Sequence, residues 1–124
     1  ITLECGFCRS LTTLSAPMAT YLDCQGCTSL TTLSAQMATY LNCQGCTSLT
    51  TLSAPMATTL YCDNCALTAV AIAALLAELV ATGNEDGTLD ISGGTNAGYS
   101  TWTAQAKADA ATLDTRGWTV TYNS

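Results

Sequence analysis

Apolar residues recur along the first half of the chain in one fixed text. Leu22-Asp-Cys-Gln-Gly-Cys-Thr-Ser-Leu-Thr-Thr-Leu-Ser-Ala-Gln-Met-Ala-Thr-Tyr40 is preceded and followed by near copies of itself, 19 residues apart. In each copy an apolar-x-Cys alternation (Leu3-x-Cys5, Leu22-x-Cys24, Leu41-x-Cys43, Leu60-x-Cys62) predicts a short strand with alternate side chains turned inward. A fixed period of this length predicts one short unit stacked on copies of itself. The intervening Thr-Thr-Leu-Ser-Ala-Pro stretches hold β-branched residues and Pro17 or Pro55, which predicts irregular, non-helical arcs.

After Cys65 the spacing changes. Leu89-Asp-Ile91 follows Leu60 by 29 residues and Trp118-Thr-Val120 follows by 29 more, so six equivalent segments begin at Leu3, Leu22, Leu41, Leu60, Leu89 and Trp118. The longer return paths have helical patterning. Thr68 is suited to N-cap a helix from Ala69 through Val80 that ends at Gly83, and Ser100 or Thr101 to cap a second through Leu113 that stops at Gly117. The expected organisation is therefore residues 1–65 as short Cys-x-x-Cys repeats and 66–124 as two longer helix–strand repeats, in one continuous domain. Inward rows are predicted for the strand leucines, the cysteines, Leu11/Leu30/Leu49 and Leu14/Leu33/Leu52, with Met18/Met37/Met56 closing the core on the return side.

The motif Leu22-x-Cys24-x-x-Cys27-x-x-Leu30-x-x-Leu33 resembles the leucine-rich repeat, whose strand consensus is L-x-L-x-x-N/C-x-L. That resemblance implies an α/β, right-handed solenoid with parallel strands on one face, irregular arcs in the first rungs and helices in the last two. It places Cys27 at the family's Asn/Cys position, where a side chain satisfies backbone groups as the strand turns, and Cys24 in place of the second strand Leu. The stretch Gly87 to Gly94, then a helix and Arg116-Gly-Trp-Thr-Val120, is similar to the C-terminal ends of bacterial and phage surface or virion proteins. This likeness implies a cell-surface, extracellular or virion location.

The eight cysteines admit three readings. Cys5, Cys8, Cys24, Cys27, Cys43, Cys46, Cys62 and Cys65 have pair spacing that suits thiolate sites for zinc or an iron–sulfur cluster. Disulfides between neighbouring rungs are a further option. Against both, the first position of the pair passes to Ile91 and Val120 in the later repeats and the second to Asn123, which asks for a small buried side chain and a weak donor. The favoured expectation is a ladder of buried thiols with no cofactor. Haem attachment through C-x-x-C-H is excluded because the chain has no histidine.

Outward strand positions form the candidate binding face. Its rows contain Tyr21 and Tyr40, then Asp23, Asn42 and Tyr61, then Gln25, Gln44 and Asp63, a mixture of aromatic faces and planar hydrogen-bonding groups suited to a protein or glycan ligand. Such a face also serves merely to keep a sheet solvated. The Thr12/Thr31/Thr50 and Thr13/Thr32/Thr51 rows are consecutive, so both cannot face one way in an extended arc, which disfavours an ice-binding lattice.

Composition narrows the field. Three basic residues against nine acidic give a net charge of −6, a poor match to nucleic acid or an anionic membrane, and the apolar run from Ala69 to Ala77 is too short to insert as a span. Without histidine there is no Ser-His or Cys-His pair, and the expectation is no enzyme. Glu4 and Asp23 fall on adjacent rungs but read as an acidic strip, and Gly83-Asn-Glu-Asp-Gly87 lacks calcium-loop spacing. The first rung begins without a cap, so copies of the chain are a further expected partner through that end. Recognition or adhesion is the leading expectation, a self-associating fibre or filament subunit the alternative, and a thiolate metal scaffold the third.

Overall fold

A three-residue strand is too short to be stable alone, but an identical strand placed 19 residues later can pair with it in register. The computed structural model, which describes residues 1–124, is built on that pairing. Strands β1 (Thr2–Glu4), β2 (Thr13–Ser15), β3 (Tyr21–Asp23), β4 (Thr32–Ser34), β5 (Tyr40–Asn42), β6 (Thr51–Ser53) and β7 (Thr59–Tyr61) precede helix α1 (Ala69–Thr82). Strand β8 (Thr88–Ile91), a 3-10 turn (Tyr99–Thr101), helix α2 (Ala104–Thr115) and strand β9 (Thr119–Tyr122) follow. The architecture is α/β with all pairing parallel. A six-stranded sheet runs β1-β3-β5-β7-β8-β9, and a second sheet of three strands runs β2-β4-β6.

The second sheet corrects the expectation of irregular arcs in the first repeats. Thr13-Leu-Ser15 and its copies pair as Thr13↔Thr32↔Thr51, Leu14↔Leu33↔Leu52 and Ser15↔Ser34↔Ser53. β-branched Thr favours an extended chain, Leu33 and Leu52 are buried, and the flanking Thr and Ser side chains stay outward. Thr13 therefore shares its face with Ser15, whereas Thr12, Thr31 and Thr50 form a hydrogen-bonded corner. There Thr31 Oγ1 donates to Thr12 O (3.0 Å) and Thr50 Oγ1 to Thr31 O (3.3 Å). At the opposite corner Thr39 and Thr58 donate to Thr20 O and Thr39 O.

The methionine row was expected inside and lies outside: Met18, Met37 and Met56 are 63%, 49% and 45% exposed. The Ala-x-Met-Ala segments are tight turns, with Ala38 N bonded to Ala35 O and Ala57 N to Ala54 O. The two alanines of each turn enter the core and the residues between them are pushed to the surface.

The helical repeats follow the sequence more closely. Thr68 Oγ1 accepts from Ala71 N at the start of α1, and Gly83, with φ 76°, ends it in the left-handed conformation that glycine adopts without penalty. Thr103, not Ser100 or Thr101, caps α2 by accepting from Ala106 N, because 99–101 form their own 3-10 turn.

The last strand is also displaced from expectation. Val120, not Trp118, pairs with Leu89, and Tyr122 pairs with Ile91. Trp118 lies ahead of the register because its buried ring covers Gly87, where a Cβ would come within 2.6 Å of the indole, and its Nε1 donates to Asn84 O (2.9 Å).

One apolar cluster of 31 buried residues extends from Ala16 to Trp118, with Leu22, Leu41, Leu60 and Leu89 fully buried in one row and Leu3, Leu14 and Val120 packed against it. Truncating Leu41 to Ala is expected to lower unfolding free energy by about 3 kcal/mol. Met37→Ser, on the exposed row, should change it by less than about 0.5 kcal/mol. Urea unfolding of the two variants checks the assignment, and equal losses would contradict it.

Candidate recognition face and thiol ladder

Each Cys-x-x-Cys pair spans the tight turn that ends a strand of the large sheet. The third turn residue takes a left-handed conformation, filled by Gly26 (φ 71°) and Gly45 (φ 70°) and, at some strain, by Phe7 and Asn64. The turn leaves the carbonyl of the first cysteine pointing at the next repeat, and the second cysteine of that repeat answers it. Cys27 Sγ donates to Cys5 O (3.2 Å), Cys46 Sγ to Cys24 O (3.2 Å) and Cys65 Sγ to Cys43 O (3.1 Å). In the first helical repeat the same service is performed by buried Asn96, whose Nδ2 donates to Cys62 O (2.9 Å) while its Oδ1 accepts from Leu67 N (2.9 Å).

Asn123, expected in that role, instead closes the following turn by donating to Gly93 O and Asn96 O and accepting from Gly93 N. Sequence comparison missed Asn96 because it stands five residues after Ile91, whereas the second cysteine stands three after the first. The inserted Gly93-Gly94 concealed the equivalence.

Burial and mutual contact set the acidity of these thiols. Desolvation is the main cause that lifts Cys27 and Cys62, and it pushes Cys5 up to about 11. Hydrogen bonding to Cys62 raises Cys43 well above the ordinary thiol value, and hydrogen bonding to Cys43 raises Cys65. In the Cys24–Cys46 pair the contact raises Cys24 and lowers Cys46, so Cys46 is the first of the two to ionise. Cys43 and Cys62 bring their sulfurs to 2.9 Å. No group of three or more cysteines or carboxylates has an arrangement that could hold a metal ion. Cys27, Cys46 and Cys65 each direct a proton at a carbonyl oxygen, which a thiolate would repel. Cys8 is exposed and Cys5 half-buried, while the other six are buried.

On the other side of the same strands lie the predicted binding residues. Register places Tyr21 beside Tyr40, and Asn42 between Asp23 and Tyr61. The Tyr21 and Tyr40 rings stack with centroids 4.5 Å apart and planes 3° from parallel, and Tyr61 meets Tyr40 edge-on at 6.1 Å and 70°. The three rings form one continuous aromatic strip because Tyr61 stands one row over from the other two. Desolvation raises the Tyr40 hydroxyl above its usual value, with the neighbouring Tyr21 adding to the shift.

The polar residues of the face are only partly available. Asp23 Oδ1 accepts from Gln25 N and Asn42 Oδ1 from Gln44 N, each closing the turn at the strand end, and Asn42 is buried. Asp90 does the same for Ser92, which leaves Gln25, Gln44 and Asp63 as the groups of the third row. Asp63 Oδ1 is buried without a hydrogen-bond partner, while its Oδ2 accepts from Asn64 Nδ2 (3.3 Å). The face presents aromatic surface with amide and carboxylate groups beside it. No helix is long and apolar enough to cross a membrane.

No family model, no curated protein and no solved structure matches the chain.

The thiol shifts have a consequence for stability. A thiol whose folded pKa exceeds its unfolded value binds its proton more tightly in the folded chain, so its contribution is fully present below the unfolded pKa, near 9.0, and is lost as pH rises through the folded value. Unfolding free energy in reducing buffer should therefore be flat between pH 6 and about 8 and fall as the pH rises beyond about 9. Urea titrations across that range check this, and stability that rises above pH 9 would contradict it.

Proposed function

We propose that this chain is a non-enzymatic recognition module, built as a right-handed solenoid of leucine-rich-repeat type and presenting a tyrosine-bearing sheet to a glycan or a polar segment of protein. The observation that carries this reading is the aromatic strip of Tyr21, Tyr40 and Tyr61. Three rings in succession on an open sheet, Tyr40 touching both of the others, with Gln25, Gln44 and Asp63 in the neighbouring row, offer stacking surface and planar hydrogen-bonding groups at fixed spacing. The parallel register and the side-chain donors at every turn support the leucine-rich-repeat comparison, since Cys27, Cys46, Cys65 and Asn96 each satisfy the preceding turn as the family's Asn/Cys position does. Such a module suits a surface or virion protein, where recognition by a rigid face needs no cofactor. The absence of histidine and the use of Asp23 and Asn42 in turn closure support binding over catalysis.

A printed glycan array probed with the labelled chain tests the leading reading. The wild-type chain is expected to retain a subset of oligosaccharides, and the triple variant Y21S/Y40S/Y61S to lose them at least tenfold with its far-UV circular dichroism unchanged, since stacking contributes about 0.5–1.5 kcal/mol per aromatic contact. Retention of the same glycans by the triple variant would remove the aromatic strip from the account.

A further inference from the structure

We infer that the ligand of the tyrosine face is an oligosaccharide bearing free amines, with separate ammonium groups paired to Asp23 and Asp90. The inference rests on the recognition reading above and names the chemistry of its ligand.

Parallel register places Asp23, Asn42, Tyr61 and Asp90 side by side on four adjacent strands, β3, β5, β7 and β8. A carboxylate therefore stands at each end of this row, with an amide and a ring between them. At about 4.8 Å per strand the two ends are about 14 Å apart. That exceeds the screening length of about 8 Å at physiological salt, so the two carboxylates repel each other little. Gln25 N occupies only Oδ1 of Asp23, and Ser92 N and Oγ occupy only Oδ1 of Asp90. The Oδ2 atom of each is left for a ligand.

No basic residue of the chain lies on a strand. Arg9 precedes β2, Lys107 sits in α2 over the Tyr99 ring, and Arg116 donates to Val80 O. A ligand seated on Tyr21, Tyr40 and Tyr61 also covers Asp23, two residues after Tyr21, and Asp90, the strand neighbour of Tyr61. The Asp23 charge is among the causes that lift the Tyr40 hydroxyl, which places that carboxylate close to the ring stack. Taking a carboxylate out of water without a counter-charge is costly, so a neutral ligand is penalised at both ends of the row. A ligand that brings an ammonium to each end replaces that penalty with a charge-assisted hydrogen bond.

Topology selects a glycan over a basic peptide. Strands β3, β5, β7 and β8 are each paired on both sides, so the face has no free main-chain groups for an extended peptide to bond. Only side chains are presented. A lysine or arginine reaching for Asp23 or Asp90 would lose rotamer entropy that an amine fixed on a sugar ring does not have. Hydroxyls beside that amine suit the amides of Gln25 and Gln44 in the neighbouring row. The carboxylates are farther apart than one sugar ring spans, so the paired amines belong to separate units of an oligomer.

Calorimetric titration of the full chain with a glucosamine oligosaccharide, and with its fully N-acetylated counterpart, tests the inference. The free-amine form is expected to bind at least about tenfold more tightly, with an affinity that falls as salt is raised. D23N and D90N should each weaken it by about fivefold or more and leave the N-acetylated form unaffected. Asn42 already closes its own turn by accepting from Gln44 N, as Asp23 does from Gln25 N, so an asparagine keeps the fold. Equal or tighter binding of the N-acetylated form would overturn the inference. So would a D23N/D90N double variant that binds the free amine like the wild type. A lysine-bearing peptide of the same charge that binds as tightly would also overturn it, by moving the partner to protein. If Y21S/Y40S/Y61S loses a neutral glycan that D23N/D90N retains, the recognition face stands and the amine assignment fails. Binding of neither oligosaccharide would overturn the amine assignment as well, and the glycan array then decides the recognition reading by itself.

Discussion

Stacking short parallel repeats leaves the carbonyl that ends each strand facing along the stack, and everything else in this molecule depends on how that group is satisfied. A buried carbonyl without a partner costs about 1–3 kcal/mol, and the defect would recur in every repeat. Here the second cysteine of the next repeat donates its S–H to it three times in succession, and Asn96 takes over where the repeat lengthens. The side chain must be small enough to be buried beside its neighbours, must donate and must need little itself. Cysteine meets those conditions where the return path is short. Asparagine, with two donors and an acceptor, meets them where the longer turn also presents Ser92 O and Leu67 N.

The same constraint fixes the outer face. Once the turn is pinned from inside, Asp23, Asn42 and Asp90 pin it from outside by accepting from the backbone two residues on. Strand register then places Tyr21 directly over Tyr40, and their stack needs no further support. Corner threonines hold the return path in the same way, each donating to the threonine carbonyl of the repeat before. The strand leucines, the cysteines and the corner threonines that hold the stack together repeat from one unit to the next, whereas the outward positions of the six-stranded sheet vary.

Much of this is legible from spacing. The six strands, the alternation of inward and outward positions, both helices and the Tyr21/Tyr40 row follow from a period read directly off the letters. What spacing hides is decided by local geometry. Met18, Met37 and Met56 are apolar and periodic, but the tight Ala-x-Met-Ala turn forces them outward. Trp118 matches an apolar position at the right distance, but an indole needs the room above Gly87, so Val120 enters the register instead. Asn96 was obscured by two inserted residues. The second sheet was hidden because a three-residue Thr-Leu-Ser segment gains its strand character only from identical neighbours.

Counting reactive thiols in the native and then the denatured chain, with elemental analysis of the same sample, tests the ladder most directly. The account predicts that Cys8 reacts rapidly in the native chain and Cys5 more slowly. The six buried cysteines should react only on unfolding, giving eight free thiols in all and no bound metal. Fast native reaction of the buried six, fewer than eight thiols after denaturation, or stoichiometric zinc or iron would contradict a stack held by protonated sulfur donors.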